Sequence, residues 1–346
     1  MHLTTLWFVI IAFLWVGYFV LEGFDFGVGI LLRHVGRDET GRRVALNTIG
    51  PVWDGNEVWV IVAGGATFAA FPDWYATLFS GFYLPLLAIL VALICRGVAF
   101  EYRGKRDEPR WRACWDAAIT AGSAVPALLW GVAFGNIVRG VPLSAAGDYT
   151  GNLATLLNPD ALLAGLTTLA LFTTHGATFL ALKTHGDTRH AARRALARVA
   201  PVTVVLAVAF LGWTQLIRGN TASLLLAAAA AVCLLAGLAA ALPGGRVPRP
   251  LRRLAGRDGA AFAGTAAAIA LAVVSLFVAL YPDVMPATDP AASLTIHNAA
   301  ASPYTLHVMS WVALVFTPLV LLYQGWTYWV FRRRLGRADI PTGGEA

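Results

Sequence analysis

The chain has 346 residues, of which 58% are hydrophobic and 13% charged, with a mean hydropathy of +0.66. Soluble domains carry about twice that share of charge, so the composition excludes a soluble enzyme and describes an integral membrane protein. The net charge of +7 raises the question of nucleic-acid binding, but the distribution of that charge along the chain excludes it.

A membrane-spanning helix needs about 20 apolar residues, and nine stretches meet that length within a few residues: 3–32, 51–71, 75–100, 115–138, 160–182, 199–217, 222–242, 259–281 and 306–331. The sequence therefore predicts an all-α membrane protein with nine transmembrane helices. The first stretch lacks a basic start and is too long for a leader, so it is expected to remain as a helix. Of the 26 Lys and Arg, all but Arg96, Arg139 and Arg218 lie in the loops 33–50, 101–114, 183–198 and 243–258 or in the tail from Arg332. Nine spans put those segments on one side, and the positive-inside rule makes that side the cytoplasm, with the N-terminus out and the C-terminus in. The basic charge is thus a topology signal, reinforced by anionic lipid.

The first stretch contains LEGFDFGVGILL, in which Glu22 and Asp25 are three residues apart and so share one helix face. The second begins PVWDGNEVW, where Asp54 and Glu57 repeat the spacing. A carboxylate placed in hydrocarbon costs roughly 2.5 to 3.5 kcal/mol on insertion scales, so four of them in consecutive spans mark a buried polar pathway or site. Both pairs enter from the cytoplasmic side at comparable depth and are expected to face each other. Gly23, Gly27 and Gly29 form a small-residue surface on the first helix, and Gly64 and Gly65 do so on the second, predicting close helix packing. Pro85 is expected to kink the third helix, and Arg96 near its inner end either neutralises one of the acids or snorkels to the interface.

The loop EYRGKRDEPRWRACWD suits a surface against headgroups or a partner subunit, and the polar segment 141–160 is expected to lie along the outer surface. His175 lies well inside the fifth span; a lone intramembrane histidine is expected to be hydrogen-bonded to a neighbouring helix rather than to ligate a metal. Cys95, Cys114 and Cys233 show no metal or disulfide spacing and read as reduced packing residues. From 199 to 281 the composition is Ala, Leu and Val with few polar residues, which describes lipid-facing scaffold. The chain reads as a single transmembrane domain, 1–346, whose first helix bundle, 1–138, carries the carboxylates and whose remaining helices fill 139–346. The Pro, Gly and Arg-rich linker 243–258 is a further candidate boundary between bundles. No nucleotide-binding or zinc motif is present.

The segments LEGFDFGVG, NTIGPVWDGNEVWVIVAGGATFAAFP, FSGFY, YRGKRDEPRW, GVAFGN, TGNLATLLNP, HGATFL and YPDVMPATDPAASLTI together resemble subunit II of cytochrome bd-type quinol oxidases. The resemblance covers the chain from the first to the ninth helix, and the WDGNE-VW element after GFDFGVG is specific. One departure is the outer turn Arg218 to Thr221, which is longer in some relatives. The resemblance implies a fold of two four-helix bundles plus one additional helix, and pairing with a homologous subunit I that holds haems b and d and binds quinol. Small single-helix accessory subunits and a structural quinone or lipid are compatible with it. It implies a complex of the bacterial cytoplasmic membrane that oxidises quinol and reduces dioxygen to water, electrogenic without pumping, with no catalysis and no haem or metal ligand in this chain. It further implies that Asp25 and Asp54, with Glu22 and Glu57 beside them, carry protons from the cytoplasm, and that Trp59 marks an oxygen entry. Two other functions compete. A secondary transporter would bind its substrate or coupling ion at the carboxylates, but the later helices contain no counterpart of these acids. A purely structural anchor would leave the acids without a purpose.

Overall fold

The computed structural model describes residues 2–242 and 256–340; most of the 243–258 linker lies outside the described residues. Among the described residues eight helices are long and apolar enough to cross a membrane: α1 (Leu3–Val35), α5 (Tyr83–Tyr102), α6 (Pro109–Arg139), α8 (Pro159–Lys183), α9 (Gly186–Arg218), α10 (Thr221–Ala241), α11 (Asp258–Leu280) and α12 (Pro303–Val330). The stretch expected at 51–71 forms α3 (Trp53–Ala70), whose 18 residues extend about 27 Å. Its first five residues, WDGNE, keep it from being apolar throughout.

Two features differ from the sequence expectation. The inner loop 33–50 contains an amphipathic helix, α2 (Glu39–Ile49), whose N-cap Asp38 accepts a hydrogen bond from the Gly41 amide and whose Val44, Ala45 and Ile49 are buried. The expected third span is divided at Phe82 into α4 (Pro72–Gly81) and α5. Pro85 lies in the first turn of α5, where a helix needs no N–H donor, so it does not kink the helix. In the segment 141–160, Val141 bridges Ala287 of the later outer loop, and the one-turn α7 (Leu153–Leu156) is closed by a capping box of Asn152 and Thr155.

α1 is the hub, packed on α3, α6, α8 and α11. A Cβ at Gly27 would lie 2.0 Å from the Phe172 carbonyl oxygen and 2.7 Å from Cα of Gly176 on α8, so α1 and α8 touch through their backbones here. Gly23 faces the Phe172 ring, and Gly29 faces Ser123 on α6. The glycine pair of α3 behaves differently, since a Cβ at Gly64 would meet only Phe79 at 3.9 Å and one at Gly65 would meet nothing within 4 Å. Within this chain the close approach is therefore between α1 and α8 or α6 and does not involve Gly64 and Gly65. All three cysteines are free; Cys95 and Cys114 are exposed, and only Cys233 is partly buried.

At one end, the short antiparallel strands β1 (Asp283–Met285) and β2 (Leu294–Thr295) close the loop before α12, and Arg218 ties it to α6 through the Val138 carbonyl and Asp283. The opposite end carries the basic loops. There α12, in which only Leu306 is buried, is laced to the body by the segment that follows it. Lys183 donates to the Phe331 and Arg333 carbonyls, the Leu335 backbone pairs with Lys183 and His185, and Arg337 pairs with Asp38. That bond from Arg337 holds the Asp38 carboxyl below its usual range.

Gly27→Leu places a side chain in the space occupied by the α8 backbone, and overpacking of a full core costs about 1–3 kcal/mol or more. The variant is expected to give a lower yield and a lower melting temperature, measured by thermal denaturation with size-exclusion readout. Wild-type values would contradict the backbone contact.

Candidate functional site

Glu22 and Asp25 project from the same face of α1, and both have 0% exposure. Because α1 continues to Val35, Asp25 lies ten residues, about 15 Å, from the basic end of the helix. Arg96, also 0% exposed, arrives from α5 and resolves the alternatives left open for it: its Nη1 donates to Glu22 Oε1 in a close ion pair. Its guanidinium is held between the rings of Phe26, 4.9 Å away, and Phe100, 5.4 Å away. Gly122 of α6 provides the room, since a Cβ there would lie 2.7 Å from Cβ of Arg96.

Asp25 is held from the other side. Asn56 of α3, fully buried, donates from Nδ2 to Asp25 Oδ2 at 2.7 Å. The Asn56 carbonyl oxygen accepts from the Tyr328 hydroxyl at 2.7 Å and from Gln324 Nε2 at 3.1 Å, both on α12. Gln324 Oε1 in turn accepts from Trp59 Nε1 at 2.8 Å. One hydrogen-bonded chain thus runs from Trp59 through Gln324 and Asn56 to Asp25. The Trp59 ring lies against Gly17, where a Cβ would be 2.0 Å away, and edge-on to Phe13. Among the described residues Glu22 Oε2, Asp25 Oδ1 and Arg96 Nε and Nη2 make no hydrogen bond, so the cluster retains capacity to donate and accept.

The second predicted pair is more open. Glu57 is half-buried on α3 within electrostatic reach of Arg96 and Asp54, whereas Asp54 stands exposed in the first turn. The structure thus brings Glu22 and Asp25 together with Arg96 and Asn56, and leaves Asp54 towards the basic end. At that end Glu39 is gripped by both terminal nitrogens of Arg103 at 2.9 and 2.8 Å, and Arg103 Nε donates to Asp116 at 2.6 Å. Partial burial alone would raise the Glu39 carboxyl, but the guanidiniums of Arg103, Arg112 and Arg42 outweigh it and hold it below the usual range. Nearby, Asp258 collects Arg189 and Arg193, each at 2.6 Å, and Arg334 at 3.4 Å.

His175 is fully buried on α8 and stacked on Phe262 at 4.7 Å. Its Nε2 donates to the Val20 carbonyl at 3.1 Å, and its Nδ1 meets the Thr265 hydroxyl at 2.7 Å, so both ring nitrogens are engaged by protein groups. His307, in the first turns of α12, accepts from Trp311 at 3.3 Å. Among the described residues no group of three or more His, Cys, Asp and Glu converges on one point. The cluster around Asp25 is a charged hydrogen-bonding site of carboxylate, guanidinium and amide groups.

Asn56, Gln324 and Tyr328 were not singled out by the sequence reading. The only signal was their polarity inside apolar runs, WDGNEVW and LLYQGWTYW, because partners 268 and 272 residues apart cannot be matched by spacing.

Comparison with known proteins gives a consistent result. The model of the family described as cytochrome bd terminal oxidase subunit II matches residues 3–331. Cytochrome bd ubiquinol oxidase subunit 2 of Bacillus subtilis is 40% identical over 343 residues, covering 97% of this chain and 98% of that protein. Cytochrome bd-I ubiquinol oxidase subunit 2 of Escherichia coli (strain K12) is 41% identical over 363 residues, covering 97% and 96%. In fold, the chain is similar to one in the structure of bd oxidase from Geobacillus thermodenitrificans, with a TM-score of 0.72, 17% identity and coverage of 96% of this chain and 99% of the other.

Removing one partner of a buried ion pair leaves an uncompensated charge and costs about 3–5 kcal/mol, whereas replacing both with apolar residues is often neutral. Arg96→Leu is therefore expected to lower thermal stability sharply. The double variant Glu22→Leu/Arg96→Leu should recover most of the loss; a double variant as unstable as the single one would refute the pairing.

Proposed function

The chain belongs to the family of subunit II of cytochrome bd terminal oxidases, and from that premise we propose that it pairs with a haem-bearing subunit I and delivers protons to the oxidase from the cytoplasm. The complex is a multi-pass respiratory oxidoreductase of the bacterial cytoplasmic membrane. In this proposal it oxidises quinol and reduces dioxygen to water, and protons drawn from the inside make the reaction charge-separating without pumping. The family membership sets aside the transporter reading.

The observation that carries the proposal is Asp25: a carboxylate with no exposure, about 15 Å from the basic end of α1, with one oxygen bound by Asn56 and the other free of protein partners. Such a group in hydrocarbon is stable only if hydrated, protonated or paired, and each of these is a step in carrying a proton. Asp54, exposed in the first turn of α3, lies between Asp25 and the basic end, and the half-buried Glu57 lies beside Asn56 at the inner end of that approach, which suits an entry path. The Glu22–Arg96 pair supplies a fixed internal dipole beside the path. Asn56, Gln324 and Tyr328 hold Asp25 in position without titrating near neutral pH themselves.

The finer architecture follows as part of the same proposal. α1, α3, α5 and α6 form one four-helix bundle and α8 to α11 a second, with α12 as the additional helix, giving nine spans with the basic end in the cytoplasm; the pairwise packing of these helices supports it. Haems b and d are assigned to subunit I, a division supported by the engagement of His175 and His307 within this chain. Oxygen entry at Trp59 is a subsidiary proposal, resting on the position of that ring at the seam between α1, α3 and α12.

Neutral isosteres test the proton role. Asp25→Asn keeps shape and burial, and is expected to slow quinol-driven oxygen consumption by on the order of tenfold, about 1.4 kcal/mol on the barrier, with haem spectra and assembly intact. Asp54→Asn should slow it less, because the residue is exposed and water offers a bypass. Wild-type turnover and charge separation in proteoliposomes of the double variant would remove the proposal. Separately, His175→Ala is expected to retain every haem band; loss of one band in an assembled complex would reassign that residue as a ligand.

A further inference from the structure

The hydrogen bonds that end at Asp25 run in one direction. The two ends of an amide have nearly the same shape, so its partners decide which way it faces, and two amides stand in this chain, Asn56 and Gln324. The Tyr328 hydroxyl, 2.7 Å from Asn56 Oδ1, is able to donate or accept, and so is a carboxyl once protonated. The Trp59 indole is not, because its N–H only donates. Its ring is 9% exposed and is set in place against Gly17, where a Cβ would fall 2.0 Å from it. Trp59 Nε1 therefore compels Gln324 to present Oε1, at 2.8 Å. That turns Gln324 Nε2 to Asn56 Oδ1 at 3.1 Å and leaves Asn56 to present Nδ2 to Asp25 Oδ2 at 2.7 Å. The Leu21 carbonyl, an acceptor only, lies 3.5 Å from the same Nδ2 and weakly favours the same orientation.

We propose that Trp59 is a positioning residue that fixes the polarity of this chain and thereby selects the oxygen of Asp25 that takes the proton. The inference rests on the reading of Asp25 as a proton carrier and adds the atom that carries. Oδ2 faces the Asn56 N–H, so a proton on Oδ2 would confront another donor. Oδ1 makes no hydrogen bond among the described residues, and the proton is carried there. Were Asn56 reversed, its carbonyl oxygen would hold the proton on Oδ2 instead. Behind Asn56 stand only Gln324, Tyr328 and Trp59, so that side of Asp25 leads to amides and an indole, which do not pass a proton on near neutral pH. A donor-only group at the far end of the chain thus keeps the proton on the open side of the carboxyl.

The test is infrared difference spectroscopy of the assembled oxidase perfused at stepped pH, with the C=O band of protonated Asp25 identified by its loss in Asp25→Asn. Trp59→Phe keeps an aromatic ring and removes the N–H, and Gln324→Leu removes the link between Trp59 and Asn56. Each is expected to move the band to higher wavenumber, because a reversed Asn56 accepts the proton from Oδ2 and leaves Oδ1 as a carbonyl without a donor. Tyr328→Phe also deletes a hydrogen bond to Asn56 but preserves the polarity, and is expected to leave the band in place. Either of the first two variants suffices should the other fail to assemble, and the readout is independent of oxygen access at Trp59. A band unmoved by Trp59→Phe and Gln324→Leu, or moved equally by Tyr328→Phe, would overturn the proposal and leave Asp25 a carrier. A complex with no band from Asp25 across the pH range of its activity would remove the carrier reading and this proposal with it.

Discussion

The structure depends on placing a guanidinium and two carboxylates, Arg96, Glu22 and Asp25, where no water-exposed surface reaches them. Hydrocarbon makes each of these charges expensive alone, and the surrounding helices are arranged to offset that penalty. Arg96 requires α5 to lie against both α1 and α6, which Gly122 permits, and its flat faces require Phe26 and Phe100. Asp25 requires a donor from α3, and Asn56 in turn requires donors from α12. Five helices are thus fixed relative to one another by a requirement that begins with three side chains.

The two sides of α1 have different roles. Towards α8 and α6 it presents Gly23, Gly27 and Gly29, and the contact is apolar and backbone-close, so α1 has little freedom to rotate. Towards α3, α5 and α12 it presents Glu22 and Asp25, and the contact is polar. A rigid seam on one side holds a charged, hydrogen-bonding seam on the other at constant geometry. This suits a site in which a proton moves and the protein does not.

That the chain is a set of apolar membrane helices, and that α1 and α3 carry paired acids, was legible in the sequence because hydrophobic run length, local i,i+3 spacing and loop charge are short-range patterns. Glu22 and Asp25 were found in this way, and so was the dense packing around Gly27. The pairing of Arg96 was left between two outcomes, because a helix position states a height in the membrane but not which neighbour lies opposite. Gly64 and Gly65 show the converse: two glycines in a helix signal a close approach, yet among the described residues only the Phe79 ring comes near Gly64 and nothing comes near Gly65. The helix in the first inner loop was missed because eleven residues with several charges leave only one apolar face to reveal it. Asn56, Gln324 and Tyr328 were illegible for a simpler reason, since a polar residue in an apolar run shows that a partner exists without showing where along 346 residues it lies.

α12 is attached by few contacts. Trp7 holds it near its start, Asn56 and Trp59 hold its last two turns at Gln324 and Tyr328, and Lys183 with the segment after it holds its end, while nearly all its apolar surface stays uncovered. It also leaves the ribosome after α1 and α3, so Asp25 and Asn56 enter the bilayer before Gln324 and Tyr328 have been translated. The polar centre is therefore completed only when α12 swings in, and biosynthesis passes through an intermediate whose most hydrophilic residues are incompletely satisfied within the lipid. Docking of α12 is thus the step that supplies the last donors to Asn56 and, through it, fixes the amide that holds Asp25.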